Sequence, residues 1–408
     1  MTPYKSLAFR DLLDRTALRM ELCRKALIEL YRSLCYERVM PSSFELYDNL
    51  LDLVSPAFRR DLMSFQGPGG ELLSLRGEMT VATVSLLKRY YLPQDRPKRF
   101  FYLEKLFRKG GERMEFYQAG VELIGAPLEL PSDLEVLYLL FKSLDVVGLR
   151  DYLVLLGDSD VLAGVLARGE LSREEREMLS SALSLSSRTA LEEVLPRLDL
   201  PEGERTFLSR LYFMRGGEEV LEEAEGLLEN PTSRRALARL GERYRALRGM
   251  GLEPRVEVDL SLSRELGFYS GLIFEVVFEG LRLGGGGRYD ALLRRMGMLD
   301  GAVGFALELD LLAELTTLDE VLPERVGLWV DPHIPFEEVV LRLEALVSMG
   351  LQVELLHASS LEEARSQCRK RSIGRVCCPD PSGFLRFVDA SSGCELSRLE
   401  VEGLGRGR

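Results

Sequence analysis

The sequence predicts an α+β protein built on an antiparallel sheet with flanking helices, a helical insertion and a small C-terminal α/β domain. Three observations lead to this fold class. Residues 107–125 contain two β-prone segments around a Gly-Gly turn. Between residues 157 and 250, Glu, Arg, Leu and Ala dominate and β-branched residues become rare, which indicates helices. From about residue 323 onward, strand-like and helix-like segments alternate.

The chain has 408 residues, which is enough for two or three domains with a sizeable core. A core domain is expected from residues 1–156 together with residues 251–320. The helical insertion at 157–250 interrupts it, and the α/β domain is expected at 321–408.

The core is expected to begin with an amphipathic helix. In residues 15–34, leucines and a tyrosine recur at helical spacing. Residues 35–50 then predict a short strand, a Pro-Ser-Ser turn and a second amphipathic piece.

Two further helices are predicted in the first part of the core. The segment SLRGEMTVATVSLL (74–87) predicts a helix with Thr80 as its N-cap. Residues 131–148 predict a longer helix, in which Ser132 and Glu135 have the spacing of a capping box and a glycine marks the end.

The insertion is predicted to consist of five or six short helices. Turn signals recur at Gly203, Gly216-Gly217 and Asn230-Pro231. Their spacing is irregular and no residue signature repeats, so the segment does not have the pattern of a solenoid.

Strands are expected to return after the insertion. Residues 256–262 and 272–283 alternate apolar and polar positions. The run GGGGRYD (284–290) lacks the lysine of a Walker phosphate loop and the spacing of a dinucleotide-binding motif. We expect its glycines to let strand backbones approach a ligand closely.

The last part of the chain has the pattern of a small α/β unit. Strands are predicted at 327–330, 351–356 and 374–378, with helices at 336–349 and from Leu361 onward. Such β-α-β-α-β alternation predicts a sheet with parallel strands.

Arg108, Gln118 and Glu122 form a candidate binding site. A guanidinium, an amide and a carboxylate projecting from paired strands can hold a small zwitterion, with the ligand carboxylate on the arginine and its ammonium on Glu122. A charged hairpin with a solvated face accounts for the same spacing about equally well. The spacing alone therefore leaves both interpretations open.

Two segments carry a resemblance that favours a pocket. FRKGGERMEFYQAGVELIG (107–125) resembles motif 2 of the class II aminoacyl-tRNA synthetases in its histidyl form. RELGFYSGLIFEV (264–276) resembles the histidine-specific segment of the same enzymes, and the similarity continues through residues 284–293 and 302–312. The resemblance implies a class II synthetase-like core, and a C-terminal domain similar to a reduced anticodon-binding domain.

The resemblance also implies a set of amino-acid-binding residues. Glu78 and Thr80 match a segment whose Glu and Thr face the ligand ammonium in the synthetases, and Arg264 matches an arginine that aids amino-acid activation. Phe268 replaces a tyrosine, which removes one hydroxyl group. The ligand-binding residues expected on this basis are Glu78, Thr80, Arg108, Gln118, Glu122, Arg264, Phe268 and Tyr269.

Departures from the synthetase pattern indicate that adenylation is lost. Leu311 stands where the third synthetase motif has the arginine that holds the ATP phosphates, and Glu308 replaces a glycine. A leucine cannot pair with a triphosphate, and an added carboxylate repels one. The loop that follows Arg108 is also shorter than in the synthetases. We therefore expect no catalytic residue in this chain.

This combination is similar to the regulatory subunits of ATP phosphoribosyltransferase, synthetase paralogues in histidine biosynthesis. The resemblance implies a non-catalytic subunit that activates a short-form catalytic subunit and confers feedback control by histidine. An active histidine-tRNA ligase and a stand-alone amino-acid-sensing module stay open as alternatives. Residues 35–48 resemble motif 1, which pairs two protomers, so a homodimer within a larger hetero-oligomer is expected.

Bulk properties argue against two classes of partner. The formal net charge is −12, which makes the chain a poor match for tRNA, because tRNA binding relies on Lys and Arg. No apolar run approaches the roughly 20 residues that span a membrane. The N-terminus also lacks the apolar segment of a signal peptide, so a cytoplasmic protein is expected.

The cysteine pattern does not indicate a metal site. The six cysteines form no CxxC motif, and the chain has only two histidines. We expect buried free thiols, and neither a metal nor a cofactor. Cys377 and Cys378 are adjacent on a predicted strand and should point to opposite faces of it.

Overall fold

A computed structural model describes residues 11–110, 113–167, 171–184, 187–262, 269–319, 324–380 and 384–400. Its α-helices are α1 (Asp14–Ser33), α2 (Pro56–Asp61), α3 (Met79–Tyr90), α4 (Glu129–Val146), α5 (Ser159–Leu166), α6 (Arg173–Ser184), α7 (Arg188–Val194), α8 (Glu202–Arg210), α9 (Glu218–Leu227), α10 (Pro231–Gly249), α11 (Asp290–Arg295), α12 (Leu309–Leu315), α13 (Phe336–Ser348) and α14 (Leu361–Lys370).

Its strands are β1 (Glu37–Arg38), β2 (Phe44–Leu46), β3 (Ser64–Gln66), β4 (Leu72–Leu75), β5 (Lys98–Phe107), β6 (Glu115–Ile124), β7 (Leu153–Asp158), β8 (Arg215–Gly216), β9 (Val256–Asp259), β10 (Leu272–Phe278), β11 (Leu281–Arg288), β12 (Ala302–Glu308), β13 (Arg325–Val330), β14 (Gln352–His357), β15 (Arg375–Pro379), β16 (Phe384–Asp389) and β17 (Glu395–Glu400).

A large sheet organises the first part of the chain. Within the described ranges it has nine strands in the order β1-β5-β6-β12-β11-β10-β7-β9-β8. Most neighbours are antiparallel, and only β1–β5 and β7–β9 are parallel. The β5–β6 hairpin pairs from Lys98–Ile124 to Phe107–Glu115, as the paired segments of the sequence predict. The expected antiparallel sheet of the core is confirmed.

The two faces of this sheet pack against different helices. On one face, Val121 and Leu123 join a large apolar core with α1, α4 and α12. On the other face, Phe116 and Ile124 join a second core with α2, α3 and α11. Each fully buried apolar side chain of this kind contributes about 1.5–3 kcal/mol to folding. The alternation of β6 therefore directs its even-numbered side chains towards α3.

Two predicted helix starts are wrong in detail. The N-cap of α3 is Glu78 rather than Thr80, because the Glu78 carboxylate accepts hydrogen bonds from the backbone N–H groups of Thr80 and Val81. A carboxylate satisfies two free N–H groups at once and complements the positive end of the helix.

Helix α4 begins earlier than predicted, at Glu129. Ser132 therefore lies inside the helix, where its hydroxyl donates to the carbonyl of Leu128, and no capping box forms. Glu135 instead accepts hydrogen bonds from both Arg99 and Tyr36. The predicted end is confirmed, since Gly148 follows the helix with φ +79°.

The segment 272–283 forms a hairpin rather than one strand. Strands β10 and β11 are joined at Glu279 and Gly280, which both have positive φ. The glycine run lies in β11, where a Cβ on Gly284 would lie 2.2 Å from the carbonyl oxygen of Ala306. These glycines let neighbouring strands approach one another closely, and the expected close approach to a ligand stays a prediction.

The segment 35–50 also differs from its prediction. After β1, the expected second amphipathic piece is the short strand β2. Together with β3 and β4 it forms a three-stranded antiparallel sheet in the order β2-β4-β3. This small sheet was not predicted, because strands of three or four residues have no periodicity to detect.

The helical insertion contains six helices, α5 to α10, among its described residues, as the composition predicts. Strand β8, which pairs with β9, was not predicted. The insertion belongs with the core to one compact unit, Met1–Asp319. No helix in the described part of the chain is long and apolar enough to cross a membrane.

The second unit, Glu320–Arg408, is the expected α/β domain. Its sheet has the order β14-β13-β15-β16-β17, and β13 is parallel to both β14 and β15. The antiparallel strands β16 and β17 were not predicted. Cys377 and Cys378 enter different apolar clusters on the two faces, as expected. Cys35 and Cys394 are exposed, so the expectation of buried thiols is wrong for these two.

Candidate functional site

Glu122 lies at the bottom of the candidate site on the α3 side of the sheet. Its side chain is fully buried and accepts hydrogen bonds from Thr80 Oγ1 at 3.0 Å and Tyr289 OH at 2.6 Å. Tyr102 OH lies 3.5 Å from the same carboxyl group. Burial raises the pKa of Glu122 to about 8, and the hydroxyl groups offset only part of this effect.

The backbone opposite Glu122 makes room for its carboxyl group. Gly304 is its register partner on β12, and a Cβ there would lie 2.0 Å from Glu122 Oε2. Gly120 on β6 likewise makes room for Tyr102, because a Cβ on Gly120 would lie 2.4 Å from the Tyr102 hydroxyl oxygen. Only glycine is accommodated at either position without displacing the polar cluster.

Glu78 and Thr80 meet Glu122 at the start of α3. Both oxygens of Glu78 are used to cap the helix, at 2.8 Å from Thr80 N and 2.7 Å from Val81 N. Thr80 uses its hydroxyl for Glu122, since Glu78 performs the capping. The helix start therefore places two carboxyl groups in one site, and Glu78 adds to the increase in the Glu122 pKa.

Arg108 supplies the positive charge of the site. Its Nε donates to the carbonyl of Gly77 at 2.9 Å, and its guanidinium lies 5.1 Å from the ring centres of Phe58 and Phe116. Among the described residues, none forms a hydrogen bond with its two terminal nitrogens. Burial lowers the pKa of this guanidinium, which nevertheless stays charged at neutral pH. The two terminal nitrogens are therefore suited to bind an anion.

Gln118 and Tyr269 complete the described part of the site. Gln118 lies on the same face of β6 as Glu122, four residues away, and its register partner on β12 is Glu308. Tyr269 packs against the α3-side core, with its ring close to Gly287. Arg264 and Phe268 lie outside the described residues.

The structure adds groups that the sequence did not single out. Tyr102 and Tyr289 donate to Glu122, and Gly304 makes the space for it. Tyr289 lies in the segment GGGGRYD (284–290), for which we predicted a role for the glycine backbone and none for the tyrosine side chain. Tyr102 has no motif around it, and only the β5–β6 register, which pairs it with Gly120, places it beside Glu122.

The other end of the site, where the synthetase pattern holds ATP, has a different character. Leu311 packs against the large apolar core. Asp310 is buried and accepts a hydrogen bond from the backbone N–H of Tyr117 at 2.5 Å. The cations here are paired, with Arg113 Nη2 at 3.1 Å from Glu314 and Arg282 Nε at 3.1 Å from Glu275. This pairing leaves little positive charge for phosphate groups.

Glu308 adds a negative charge to that end. It is half-buried on the same face as Gln118. Burial raises its pKa, against the attraction of Arg282, Arg108 and Arg113. Ionised Glu308 repels a triphosphate, and Leu311 cannot bind one, so this end lacks the groups that adenylation requires.

Comparison with known proteins agrees with this division. Residues 8–312 match the family model described as histidyl-tRNA synthetase. A curated relative from Moorella thermoacetica is 35% identical over 307 residues, covering 74% of this chain and 78% of the relative. It is named ATP phosphoribosyltransferase regulatory subunit. This chain belongs to that family of regulatory subunits.

Other members of the regulatory subunit family match over more of the chain. A relative of the same name from Desulforamulus reducens is 31% identical and covers 89% of this chain and 94% of its own length. A solved structure from Bacillus halodurans, described as an ATP phosphoribosyltransferase regulatory subunit/histidyl-tRNA synthetase, superposes with a TM-score of 0.79 at 25% identity. It covers 93% of this chain and 99% of that one.

Membership of the regulatory subunit family agrees with the geometry of the site. The chain is a non-catalytic regulatory subunit, and the alternative of an active histidine-tRNA ligase is not favoured. The name of the family places it in histidine biosynthesis. The synthetase-like fold is retained, while the nucleotide end has lost its phosphate-binding arginine.

Proposed function

We propose that this subunit binds histidine in the site around Glu122 and thereby controls a short-form ATP phosphoribosyltransferase catalytic subunit in the cytoplasm. The catalytic chain would depend on it for activity, and histidine would act as the feedback signal. The names of the curated relatives support the catalytic partner. The chemistry of the site supports a small amino acid as the ligand.

One observation carries the choice of ligand class. Among the described residues, the buried carboxyl group of Glu122 has only hydroxyl partners, and Arg108, directly after the adjacent strand β5, has two nitrogens available for an anion. A zwitterion satisfies both, because its ammonium can pair with Glu122 and its carboxylate with Arg108. The acidic chain as a whole, with a net charge of −12, argues against tRNA as the ligand.

The experiment that tests this function uses both subunits. The purified chain is titrated with histidine by calorimetry, and the short-form catalytic subunit is assayed alone, with this chain, and with this chain plus histidine. We expect activity only with both subunits, and inhibition by histidine with a coupling of about 1–3 kcal/mol. Full activity of the catalytic subunit alone would refute the proposal. A titration with free alanine instead of free histidine serves as the ligand control.

Assembly is a separate part of the proposal. The small sheet that contains β2 exposes apolar side chains on one face: Phe44, Leu46 and Phe65 are 56%, 47% and 39% exposed. Phe44 and Phe65 stack edge to face, with ring centres 5.7 Å apart. Three large apolar side chains on one small sheet favour a protein contact. The segment resembles motif 1, so we propose a two-fold contact with a second copy.

Light scattering tests the homodimer. The wild-type chain is expected at twice the monomer mass, and Phe44→Glu should shift it to the monomer, because a two-fold contact places the new charge in the interface twice. Leu281→Glu is the matched control, since Leu281 is 49% exposed on a different strand, β11. A monomeric wild type would refute the dimer, and the proposal that histidine binds around Glu122 would be unaffected. Addition of the catalytic subunit should then give a larger hetero-oligomer.

A further inference from the structure

The segment Tyr269 to Gly271, at the edge of the ligand site, is held at two points. Gly271 donates from its backbone N–H to Ser159 Oγ at 2.9 Å and accepts from Ser159 N at 2.8 Å. Ser270 N donates to the carbonyl of Arg288 at 2.9 Å. Ser159 is the first residue of α5, and Arg288 is the last of β11. The position of Tyr269 therefore depends on where α5 and β11 lie.

The first of these points is tied to the helical insertion by Arg239 of α10. Its guanidinium donates to both oxygens of Asp158, at 3.1 and 3.0 Å, and to Asp160 at 2.8 Å. The Asp158 side chain is almost completely buried and caps α5 at the residue next to Ser159. A buried carboxylate that loses the cation paired with it is strongly destabilised, so Arg239 determines whether this cap keeps its geometry.

The second point is tied to the same helix one turn later. Arg243 Nε and Arg288 Nε donate to the two oxygens of Asp133, at 2.8 and 3.0 Å. All three side chains are buried, with 2%, 5% and 0% exposed. The guanidinium of Arg288 is thus fixed through α4 to α10, while its carbonyl holds Ser270. Both points that hold the segment depend on cations of α10.

Helices α5 and α10 are also packed too closely to move independently. A Cβ on Gly164 of α5 would lie 2.4 Å from Ser233 Oγ and 2.8 Å from Ser233 N on α10. Ser233 Oγ donates to the carbonyl of Val161 on α5 at 2.6 Å. A displacement of α10 therefore carries α5 and Ser159 with it.

We propose that Arg239 is a positioning residue for the ligand site, and that α10 of the insertion sets the affinity for the ligand through the segment Tyr269 to Gly271. The proposal rests on the proposed function of that site. It gives the insertion a regulatory role, because any partner that shifts α10 changes the ligand affinity, and ligand binding opposes the shift to the same extent.

The test compares two arginines on the same helix in the full chain. Arg239→Met removes the contacts with Asp158 and Asp160. Arg245→Met is the control, since the partner of Arg245 among the described residues is Glu218, within the insertion, at 3.0 Å. We expect amide hydrogen exchange at Ser270 and Gly271 to accelerate roughly tenfold or more in Arg239→Met alone. Histidine affinity should fall roughly 3- to 30-fold in the same variant.

Arg239→Lys provides the conservative comparison. An ammonium reaches one carboxylate but cannot bridge two as a guanidinium does, so intermediate exchange and affinity are expected. If Arg239→Met unfolds, exchange also rises in β6 and β12, and the Lys variant then carries the test. Wild-type exchange at Ser270 and Gly271 in the folded variant would overturn the proposal.

The exchange measurement separates this inference from the proposed function. It is made without ligand, so it reports on the segment even if histidine is not the ligand. A wild-type chain that binds no histidine would refute the proposed function only. Faster exchange with unchanged histidine affinity in Arg239→Met would overturn the positioning role, because the segment would then move without affecting the site.

Discussion

The two ends of the candidate ligand site differ in how their charged side chains are paired. At the amino-acid end, the described residues give Glu122 only hydroxyl partners and leave two nitrogens of Arg108 available. At the nucleotide end, Arg113 and Arg282 are paired with carboxylates, and Leu311 is packed into apolar surroundings. Charges left without a counter-charge in a buried site are costly unless a ligand pairs with them. The difference supports our proposal that the amino-acid end binds the ligand.

The largest effect concerns the nucleotide end. We expect no histidine-dependent pyrophosphate exchange by the purified chain, because the loss of one phosphate-binding cation alone costs about 2–4 kcal/mol in the transition state. An active histidine-tRNA ligase in the same assay is the positive control. Exchange well above background would remove the distinction between the two ends and would contradict a purely regulatory role.

The next effect concerns the amino-acid end. Glu122→Ala should weaken histidine binding by about 1.5–3 kcal/mol, since a charged hydrogen-bond partner of the ligand is lost. Calorimetry on both proteins measures the change. Glu122→Gln keeps the shape and the hydroxyl contacts and serves as the matched control for packing. Unchanged affinity in both variants would move the ligand to another site, most simply the contact with the catalytic subunit.

The same carboxyl group predicts a pH dependence. Burial raises the pKa of Glu122 to about 8, whereas an unfolded chain has a value of about 4.3. The stability contributed by neutral Glu122 is therefore present below about pH 4 and is lost as the pH rises through 8. A bound ammonium favours the ionised form, so histidine affinity should rise between pH 6 and 8, by at most about tenfold per unit.

This pH dependence can be separated from that of the ligand. When histidine binds near pH 7, Glu122 should release a proton, which the buffer takes up. Calorimetry in buffers of different ionisation enthalpy measures this release. Glu122→Gln should abolish this release while leaving any titration of free histidine in place. Equal proton release in wild type and variant would assign the effect to the ligand rather than to the protein.

The smallest expected effect is that of a substitution at the nucleotide end on histidine binding. Glu308→Gln removes a charge at the nucleotide end, where no contact with an amino acid is expected. Histidine affinity should change by less than about 0.5 kcal/mol. A loss as large as that of Glu122→Ala would show that the ligand extends along the whole site.

Most of the fold could be predicted because it follows from local patterns. The β5–β6 hairpin, the six helices of the insertion and the parallel strands of the C-terminal unit each follow from periodicity or composition over many residues. The errors concern features that only a few residues determine, such as a helix start or a very short strand. Thr80 had the residue type of an N-cap, but Glu78 can satisfy two N–H groups and excludes it. Strand β2 is too short to show a pattern.

The sequence by itself determined which side chains are present in the site and which family the chain resembles. Glu78, Thr80, Arg108 and Glu122 were identified from motifs, and the structure brings them together. Only the tertiary structure decided the burial, the hydrogen-bond partners and the pKa of those groups. Tyr102 and Tyr289 reach Glu122 through strand pairings between distant segments, and those pairings also bury it and raise its pKa. Burial and register are properties of the folded chain, so no local segment contains them.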